Sequence, residues 1–515
     1  MVEVRLFYSS GWRSVFLHYQ SEEHNSNTGD SKWMFKNFVP VEGKRGWHSI
    51  VLNTEMESLE FVICNDSKTE WDNPPIDLNH PSANRNYKIC LNNNEEHRYC
   101  LFNGKLSLIP KISPIVLVTD LDGTLIGNSY YLSKFNDIWI REHMFNGSKL
   151  IYSTGRNLKD FLIASKQYNL LKPDFAICGV GTEIYEFPEE PMEISIYYDY
   201  LRFTLRCEKE CNVPLSIIQK YHDMGEEINL QDEKYIDKPE NQANEANPLF
   251  PEWCPNRLFA WPVRKWFEKI KESFNRNKVM DDTEKILSKN NLNHYVNGNN
   301  FHDPFRLSMS IYTKDANETF DIVIQANKRN YKYAISGQGE WKYLDILPEV
   351  GGKKFSIIFI FKEILKGKIP LNRFLVCGDS GNDAHMFSLN ESKNCCVGNA
   401  QQDLKDFLLS NKRTFKSVFR QNEKLGMVFF SDNSSGENEC LNTESSCQNK
   451  QSELLKKIMK TQNLDPPDEI FISIFPNAGV IIFYSLLLSL SNSFILIISN
   501  DTMIGDTDEN ESICS

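Results

Sequence analysis

Two carboxylates two positions apart, Asp120 and Asp122, close the run "VLVTDLDGT" of residues 116–124. The apolar residues before them suit a buried strand. Asp is a poor strand former, and a buried carboxylate is costly unless it is paired or bound to a cation. A core strand that ends by aiming acids outward is built to hold something cationic. Related groups recur along the chain. Ser153 and Thr154 follow "KLIY", Lys353 opens an apolar helical stretch, and Asp379 and Asp383 follow "FLVCG". In a doubly wound parallel sheet the carboxyl ends of the strands line one crevice, so these groups can converge. Carboxylates, a hydroxyl and a lysine together suit a magnesium ion bridging a phosphate. Magnesium takes carboxylate and phosphate oxygens, while the lysine and hydroxyl hold the remaining phosphate oxygens.

The elements that must position these groups are legible in the hydrophobic pattern. From Ser113 onward, apolar strands ("PIVLVTD", "SKLIYST", "DFAICGVG", "NRFLVCGD", "NCCVGNA") alternate with helical stretches such as "NLKDFLIASKQYNLL" and "FSIIFIFKEILKG". Continuous apolar strands divided by helices predict a parallel sheet covered on both faces. A long interruption between "CGVGTEIYEF" and "YLDILPEVGGKK", rich in Trp, Tyr and Asn, predicts an inserted domain. Ahead of all this, short alternating runs ("VEVRLFY", "SVFLHYQ", "SIVLN", "LEFVICN", "YKICLN") are split by Asn, Ser, Gly and Asp clusters, the spacing of a small antiparallel sandwich. The expected organisation is an all-β sandwich at 1–105 and a Rossmann-like α/β core at 113–187 and 346–430, with an inserted α/β domain at 188–345. A polar low-complexity linker at 431–452 and a C-terminal segment at 453–515 complete it.

Composition narrows the function classes. Over 515 residues, 41% hydrophobic and 24% charged content is ordinary for a globular protein with several cores. A net charge of −12 and the lack of a basic run argue against a nucleic-acid backbone as partner. The 13 cysteines are scattered without a paired zinc spacing, which predicts free thiols in a reducing compartment. No long apolar core follows a basic start at the N-terminus, so a cytoplasmic location is expected. From 470 to 500 no residue is charged, and "AGVIIFYSLLLSLSNSFILIIS" at 478–499 is long enough to span a bilayer as a helix. The alternative is a buried hairpin, broken by Pro476 and by Ser491, Asn492 and Ser493.

"DLDGT", "STGR", "GGKK" and "GDSGND", in this order, resemble the four signature motifs of the haloacid dehalogenase (HAD) phosphohydrolase superfamily. The wording of "YSTGR", "PDFAICGVGTEIY", "LDILPEVGGKK", "PLNRFLVCGDSGNDAHMF" and "VGNAQQDL" is similar to its sucrose-phosphate phosphatase branch, over roughly residues 113 to 410. The resemblance implies Asp120 as the nucleophile that forms an aspartyl-phosphate. It implies Asp122 as the acid that protonates the leaving sugar oxygen and then deprotonates water. Thr154, Asn382 and Lys353 would bind phosphate, with Lys354 as the neighbouring alternative to Lys353. Asp120, Asp379 and the backbone carbonyl of Asp122 would hold Mg2+, with Asp383 assisting. A second acid at the position of Asp122 points to a phosphatase or phosphomutase within the superfamily.

In this superfamily the long interval between Thr154 and Lys353 corresponds to a cap that closes over the substrate and contributes sugar selectivity. "FRLSMSIY" and "YAISGQGEWKYLDILP" resemble cap strands and hinge. The stretch from Cys207 to Asn300 departs from the family, and within it the aromatic-rich "PLFPEWCPNRLFAWPVRKWFEKIKESF" reads as cap core with an amphipathic helix.

The first 92 residues resemble starch-binding carbohydrate modules of families 25 and 53, through "HY" before a lone Trp and "WDN" followed by "NY". The resemblance implies His18, Trp33 and Trp71 as a platform for an α-glucan, indole faces stacking on glucose and imidazole meeting a hydroxyl. Trp47 reads as sandwich core, and "WDNP" replaces the usual "WDNN". The expected function is hydrolysis of a sugar phosphate of the sucrose 6-phosphate type, with the enzyme localised to α-glucan. Trehalose 6-phosphate and phosphorylated glucan are the alternative substrates, and phosphomutase transfer an alternative reaction. A non-catalytic glucan-binding adaptor would have lost the nucleophile or the lysine, and neither is lost.

Overall fold

The computed structural model of the chain describes residues 2–24, 31–75, 85–91, 97–197, 200, 246–290, 295–296, 305–327, 331–337, 340–389, 391–397, 399–401, 403–404 and 427–430. The expected linker at 431–452 and the C-terminal segment at 453–515, including the apolar run, lie outside the described residues. Among the described residues no helix is long and apolar enough to cross a membrane. The described cysteines, Cys64, Cys90, Cys100, Cys178, Cys254, Cys377, Cys395 and Cys396, are free thiols.

The chain forms two compact units. In the first, strands are β1 (Val2–Ser9), β2 (Val15–His24), β3 (Ser31–Asn37), β4 (Val39–Pro40), β5 (Trp47–Thr54), β6 (Ser58–Asn65), β7 (Trp71–Asp72), β8 (Tyr87–Cys90), β9 (His97–Phe102) and β10 (Lys105–Leu108). They build two sheets, ordered β10-β9-β1-β5-β4 and β3-β2-β6-β7, with β8 also paired to β6. Period-two alternation sends Val4, Leu6, Ile50 and Leu52 from one sheet against Leu17, Phe61, Ile63 and Ile89 from the other, which makes a sandwich core. The buried Tyr8 and Tyr87 hydroxyls, whose pKa values burial and Asp72 push up, both donate to the Asp72 carboxylate, at 2.9 and 2.8 Å. Trp47 is buried, its ring 5.8 Å from Phe102 and 5.0 Å from Phe145.

Phe145 marks a departure from the expected sandwich boundary at 105. The first unit runs to Ile112 and also takes in Asp137–Asn146. Within that insertion Arg141, held by Asp137 at 2.7 Å, donates to the Phe102 and Lys105 carbonyls and to Ser107 Oγ. Phe145 stacks on Phe7 at 4.0 Å. A planar guanidinium with several donors reaches both carbonyls that flank the β9–β10 turn at once. That is why a segment distant in sequence joins the sandwich.

The second unit carries β11 (Val116–Thr119), β12 (Lys149–Ser153), β13 (Phe175–Cys178), β14 (Glu183–Glu186), β15 (Trp261–Pro262), β16 (Tyr295–Val296), β17 (Leu307–Tyr312), β18 (Tyr331–Ser336), β19 (Trp341–Pro348), β20 (Phe374–Gly378), β21 (Lys393–Cys396) and β22 (Met427–Phe430). Its main sheet is ordered β15-β14-β13-β12-β11-β20-β21-β22. Strands β13 to β22 of that order pair in parallel, whereas β14 and β15 pair antiparallel at one edge. The strand order reverses between β11 and β20, the place where an open α/β sheet forms its ligand crevice. This is a Rossmann-like core.

The helices are α1 (Ser129–Ile138), α2 (Leu158–Gln167), α3 (Arg264–Ser273), α4 (Arg276–Lys289), α5 (Thr313–Asn327) and α6 (Lys353–Phe359). A four-stranded antiparallel sheet, β16-β17-β19-β18, carries α4 and α5 on one face and is the inserted cap. The insertion expected at 188–345 is not continuous. Trp261–Pro262 returns to the main sheet as β15, and α3 packs on β14. Trp266, Phe267 and Ile270 of α3 are buried, and the Trp266 indole donates to the Thr182 carbonyl at 3.1 Å. Without β15 and α3, β14 would leave an apolar sheet edge open to water.

Candidate active site

β11 and β20 lie side by side with Thr119 opposite Cys377, so the residues that follow them emerge together. Asp120 follows β11 and donates its backbone N–H to the Cys377 carbonyl at 2.9 Å; Asp379 follows β20. Lys353, the first residue of α6, reaches them from another loop. Its Nζ donates to Asp120 Oδ1 and to Asp383 Oδ1, each at 2.5 Å, and all three side chains are buried. Lys353 gets there because the 179–182 turn presses against the 352–353 backbone. A Cβ on Gly181, whose φ is +91°, would lie 2.2 Å from the Gly352 carbonyl carbon. Only glycine combines that close approach with that backbone conformation.

Lys354 points elsewhere, donating to the Ser388 carbonyl and hydroxyl at 3.0 and 2.7 Å. Of the two adjacent lysines, Lys353 is the one that reaches Asp120. Asp383 is fully engaged, its Oδ2 accepting from the amides of Asp379 and Ser380 at 3.0 and 3.1 Å. It sets the turn and the lysine together. Asp379 is fixed by Thr124, whose hydroxyl donates to Oδ1 at 3.0 Å.

Carboxylate oxygens of Asp120, Asp379 and Asp383 lie within 4.8 Å of one another. Burial, then the charges of Asp383 and Asp379, hold the Asp120 carboxyl well above the ordinary carboxylate range, against the pull of Lys353. Burial and Asp383 push Asp379 up to about 7. Burial works against the charge of Lys353, but Asp120 and Asp383 outweigh it and raise its pKa. One ammonium does not balance three clustered carboxylates, and hard oxygen donors so placed fit a hard divalent cation such as Mg2+.

Asp122 differs from its neighbours. Its side chain is 53% exposed and faces outward, in a bidentate pair with Arg156 at 2.8 and 2.6 Å. The sequence reading did not single out Arg156 or Thr124. Their signal was in the motifs themselves, as the final residues of "STGR" and "DLDGT". Thr154 is buried, and its hydroxyl oxygen accepts the Arg156 amide at 3.1 Å, which leaves the hydroxyl proton to donate. Asn382 sits on the same turn as Asp383 with a buried, unpartnered Oδ1. Over this turn lies the cap. The Ile335 carbonyl of β18 is so close to Gly381 that a Cβ there would meet it at 2.1 Å. Gly337 donates to Gln401 Oε1 at 3.1 Å, and Lys342 pairs with Asp403 at 2.6 Å.

In the first unit, His18, Trp33 and Trp71 share the outer face of the sheet β3-β2-β6-β7. Ring centroids are 4.9 Å apart for His18 and Trp33, and 5.6 Å for His18 and Trp71. Burial, and then Lys68, hold the His18 pKa below its ordinary value.

A parallel sheet reversing at β11 and β20, acids at both strand ends, a buried lysine and an inserted cap define a HAD-type phosphohydrolase fold. The family described as Sucrose-6F-phosphate phosphohydrolase matches residues 113–217 and 260–427, and the chain belongs to that family. Sucrose-phosphatase 1 of Nicotiana tabacum is 25% identical over 319 residues, which are 60% of this chain and 56% of that protein. The chain thus spans about half the length of the plant relatives it matches. Mannosylfructose-phosphate phosphatase of Agrobacterium fabrum is 21% identical over 306 residues, 59% of this chain and 92% of that one. Among solved structures, the sucrose-phosphatase of Synechocystis sp., determined with sucrose and phosphate, is similar at 17% identity and a TM-score of 0.39, covering 57% of this chain and 87% of that chain.

Proposed function

We propose that the chain is a magnesium-dependent phosphatase acting on a sugar phosphate monoester of the sucrose 6-phosphate kind. The observation that carries this reading is Asp120, aimed by the buried Lys353 within a cation-fitting carboxylate cluster, with a half-exposed acid two residues on. Family membership and the substrates named for the relatives support the sugar.

Asp120 attacks phosphorus. The bond from phosphorus to the sugar oxygen breaks, and Asp122 gives its proton to that oxygen. Water then attacks the phosphorus of the aspartyl-phosphate and returns a proton to Asp122, and inorganic phosphate leaves as the bond to Asp120 breaks. Thr154 and Lys353 donate to the phosphate oxygens, and Asn382 completes the cradle. Bound at Asp120, Asp379 and the Asp122 carbonyl, with Asp383 behind them, magnesium would supply positive charge against the phosphate oxygens. The cap over the Gly381 turn excludes bulk water and contributes sugar contacts. The first unit adds a second role, holding the enzyme to α-glucan through His18, Trp33 and Trp71 and so raising its local concentration near stored polysaccharide.

The test is phosphate release, with magnesium, from sucrose 6-phosphate, trehalose 6-phosphate, glucose phosphates and phosphorylated glucan. Asp120→Asn serves as the blank and is expected to lose at least about a thousandfold in rate. Strong preference for sucrose 6-phosphate supports the reading. Preference for trehalose 6-phosphate or phosphoglucan moves the substrate. No Asp120-dependent release from any member sinks the enzymatic reading.

A further inference from the structure

The loop after β21 touches both the catalytic core and the cap through three residues, Asn399, Gln401 and Asp403. On the core side, Asn399 Nδ2 donates to the Gly123 carbonyl at 2.7 Å, and the Gln401 amide donates to the Asp379 carbonyl at 2.6 Å. Gly123 joins Asp122 to Thr124, and a Cβ on it would meet Asp379 Oδ2 at 2.5 Å. Thr124 donates to the other oxygen of the same carboxylate. The loop therefore supports the turn after the nucleophile and the backbone of a cation-fitting acid at once. Val397, Ala400 and Leu404 are buried, which seats the loop in the close-packed core.

On the cap side, Gln401 Oε1 accepts the Gly337 amide at 3.1 Å, and Asp403 Oδ2 accepts from the Lys342 ammonium at 2.6 Å. Gly337 directly follows β18 and Lys342 lies at the start of β19, so both contacts grip the same end of one antiparallel pair. Asp403 also stands beside the turn that carries Asp379 and Asp383, its Cβ 3.2 Å from where a Cβ on Gly381 would lie. The Lys342 and Asp403 side chains are 18% and 30% exposed, so water screens this pair less than one on an open surface.

Gln401 is the pivot. Its backbone holds the Asp379 backbone while its side chain holds the cap, so the cap cannot shift without straining a contact to the metal-fitting turn. The amide oxygen does this without adding charge beside three clustered carboxylates. A substrate with a large leaving group draws binding energy from the cap, whereas a small aryl ester reaches only the core.

We propose that Gln401 and the Lys342–Asp403 pair are positioning residues that seat the cap on the metal-fitting turn, and that they set the preference for a sugar phosphate over a small phosphate ester. The inference rests on the reading of the chain as a sugar phosphatase.

Phosphate release by the full chain from sucrose 6-phosphate and from p-nitrophenyl phosphate, both with magnesium, tests it. Wild type should prefer the sugar ester. Asp403→Asn should lower kcat/KM for sucrose 6-phosphate by about five- to tenfold and leave p-nitrophenyl phosphate within about twofold. Lys342→Met should give the same split, and the double variant should lose no more than the worse single one, because the two side chains act as a pair. Asp403→Glu, which keeps the carboxylate, should retain most of the preference. Gln401→Leu should also give the split; should it fail to fold by thermal denaturation, Gln401→Met carries the test. Release from neither ester by wild type overturns the phosphatase reading, and release without preference for the sugar ester overturns its sugar assignment; this inference falls with either. With the wild-type preference present, equal losses on both esters, additive losses in the double variant, or a preference that every variant keeps overturns this inference alone.

Discussion

Arg156 fixes the orientation of the Asp122 side chain through two hydrogen bonds to one carboxylate, and the fork geometry of a guanidinium is what allows that. A lysine offers a point charge and cannot hold both oxygens. Arg156→Lys is therefore expected to lower kcat by roughly 10- to 100-fold with a smaller change in KM, measured by phosphate release. The carboxylate cluster makes a separate prediction. Three buried acids against one ammonium leave negative charge that a divalent cation relieves, so magnesium should raise the melting temperature of the wild type. Asp379→Asn should raise the metal-free melting temperature and flatten the magnesium response, which differential scanning fluorimetry with and without chelator would show. The acids were legible because Asp at the end of an apolar strand conflicts with strand propensity. Arg156 and Thr124 were not. An arginine in a turn and a threonine after glycine break no local rule. Their roles exist only once separate strands lie side by side.

At the level of elements, function depends on how closely turns approach one another. The 179–182 turn lies against the start of α6 with no room for a methyl group at Gly181, and that contact delivers Lys353 to Asp120. Gly181→Ala would force the two backbones apart in a conformation that alanine resists. A destabilisation of a few kcal/mol is expected, read from urea denaturation, with activity falling further than stability alone explains. The parallel strands were readable as continuous apolar runs, and their order then fixed where the crevice lies. The cap was readable only as an interruption. Nothing in the local pattern of "AWPVRKWFEKI" says that Trp261–Pro262 returns to the main sheet, because a two-residue edge strand carries no periodicity.

Across the whole molecule, acid should weaken the first unit. Burial, with Lys68 added for His18, holds the His18 and His48 pKa values below the ordinary 6.5. The unfolded chain then binds more protons than the folded one just below that pH, so stability falls as pH drops through 6.5. The urea midpoint followed by tryptophan fluorescence should be lower at pH 5.5 than at 7.5, and His48→Gln should narrow the gap.

Asp137–Asn146 belongs to the sandwich, although it is encoded within the catalytic half of the chain. Genetic exchange of residues 1–112 alone would discard the partners of Arg141 and Phe145 and leave an unmated guanidinium and an unmated ring behind. Such a module does not travel by simple shuffling. Its inheritance is tied to that of the phosphatase, and variants at Phe7 or Phe102 should be found to co-vary with variants at Phe145 and Arg141.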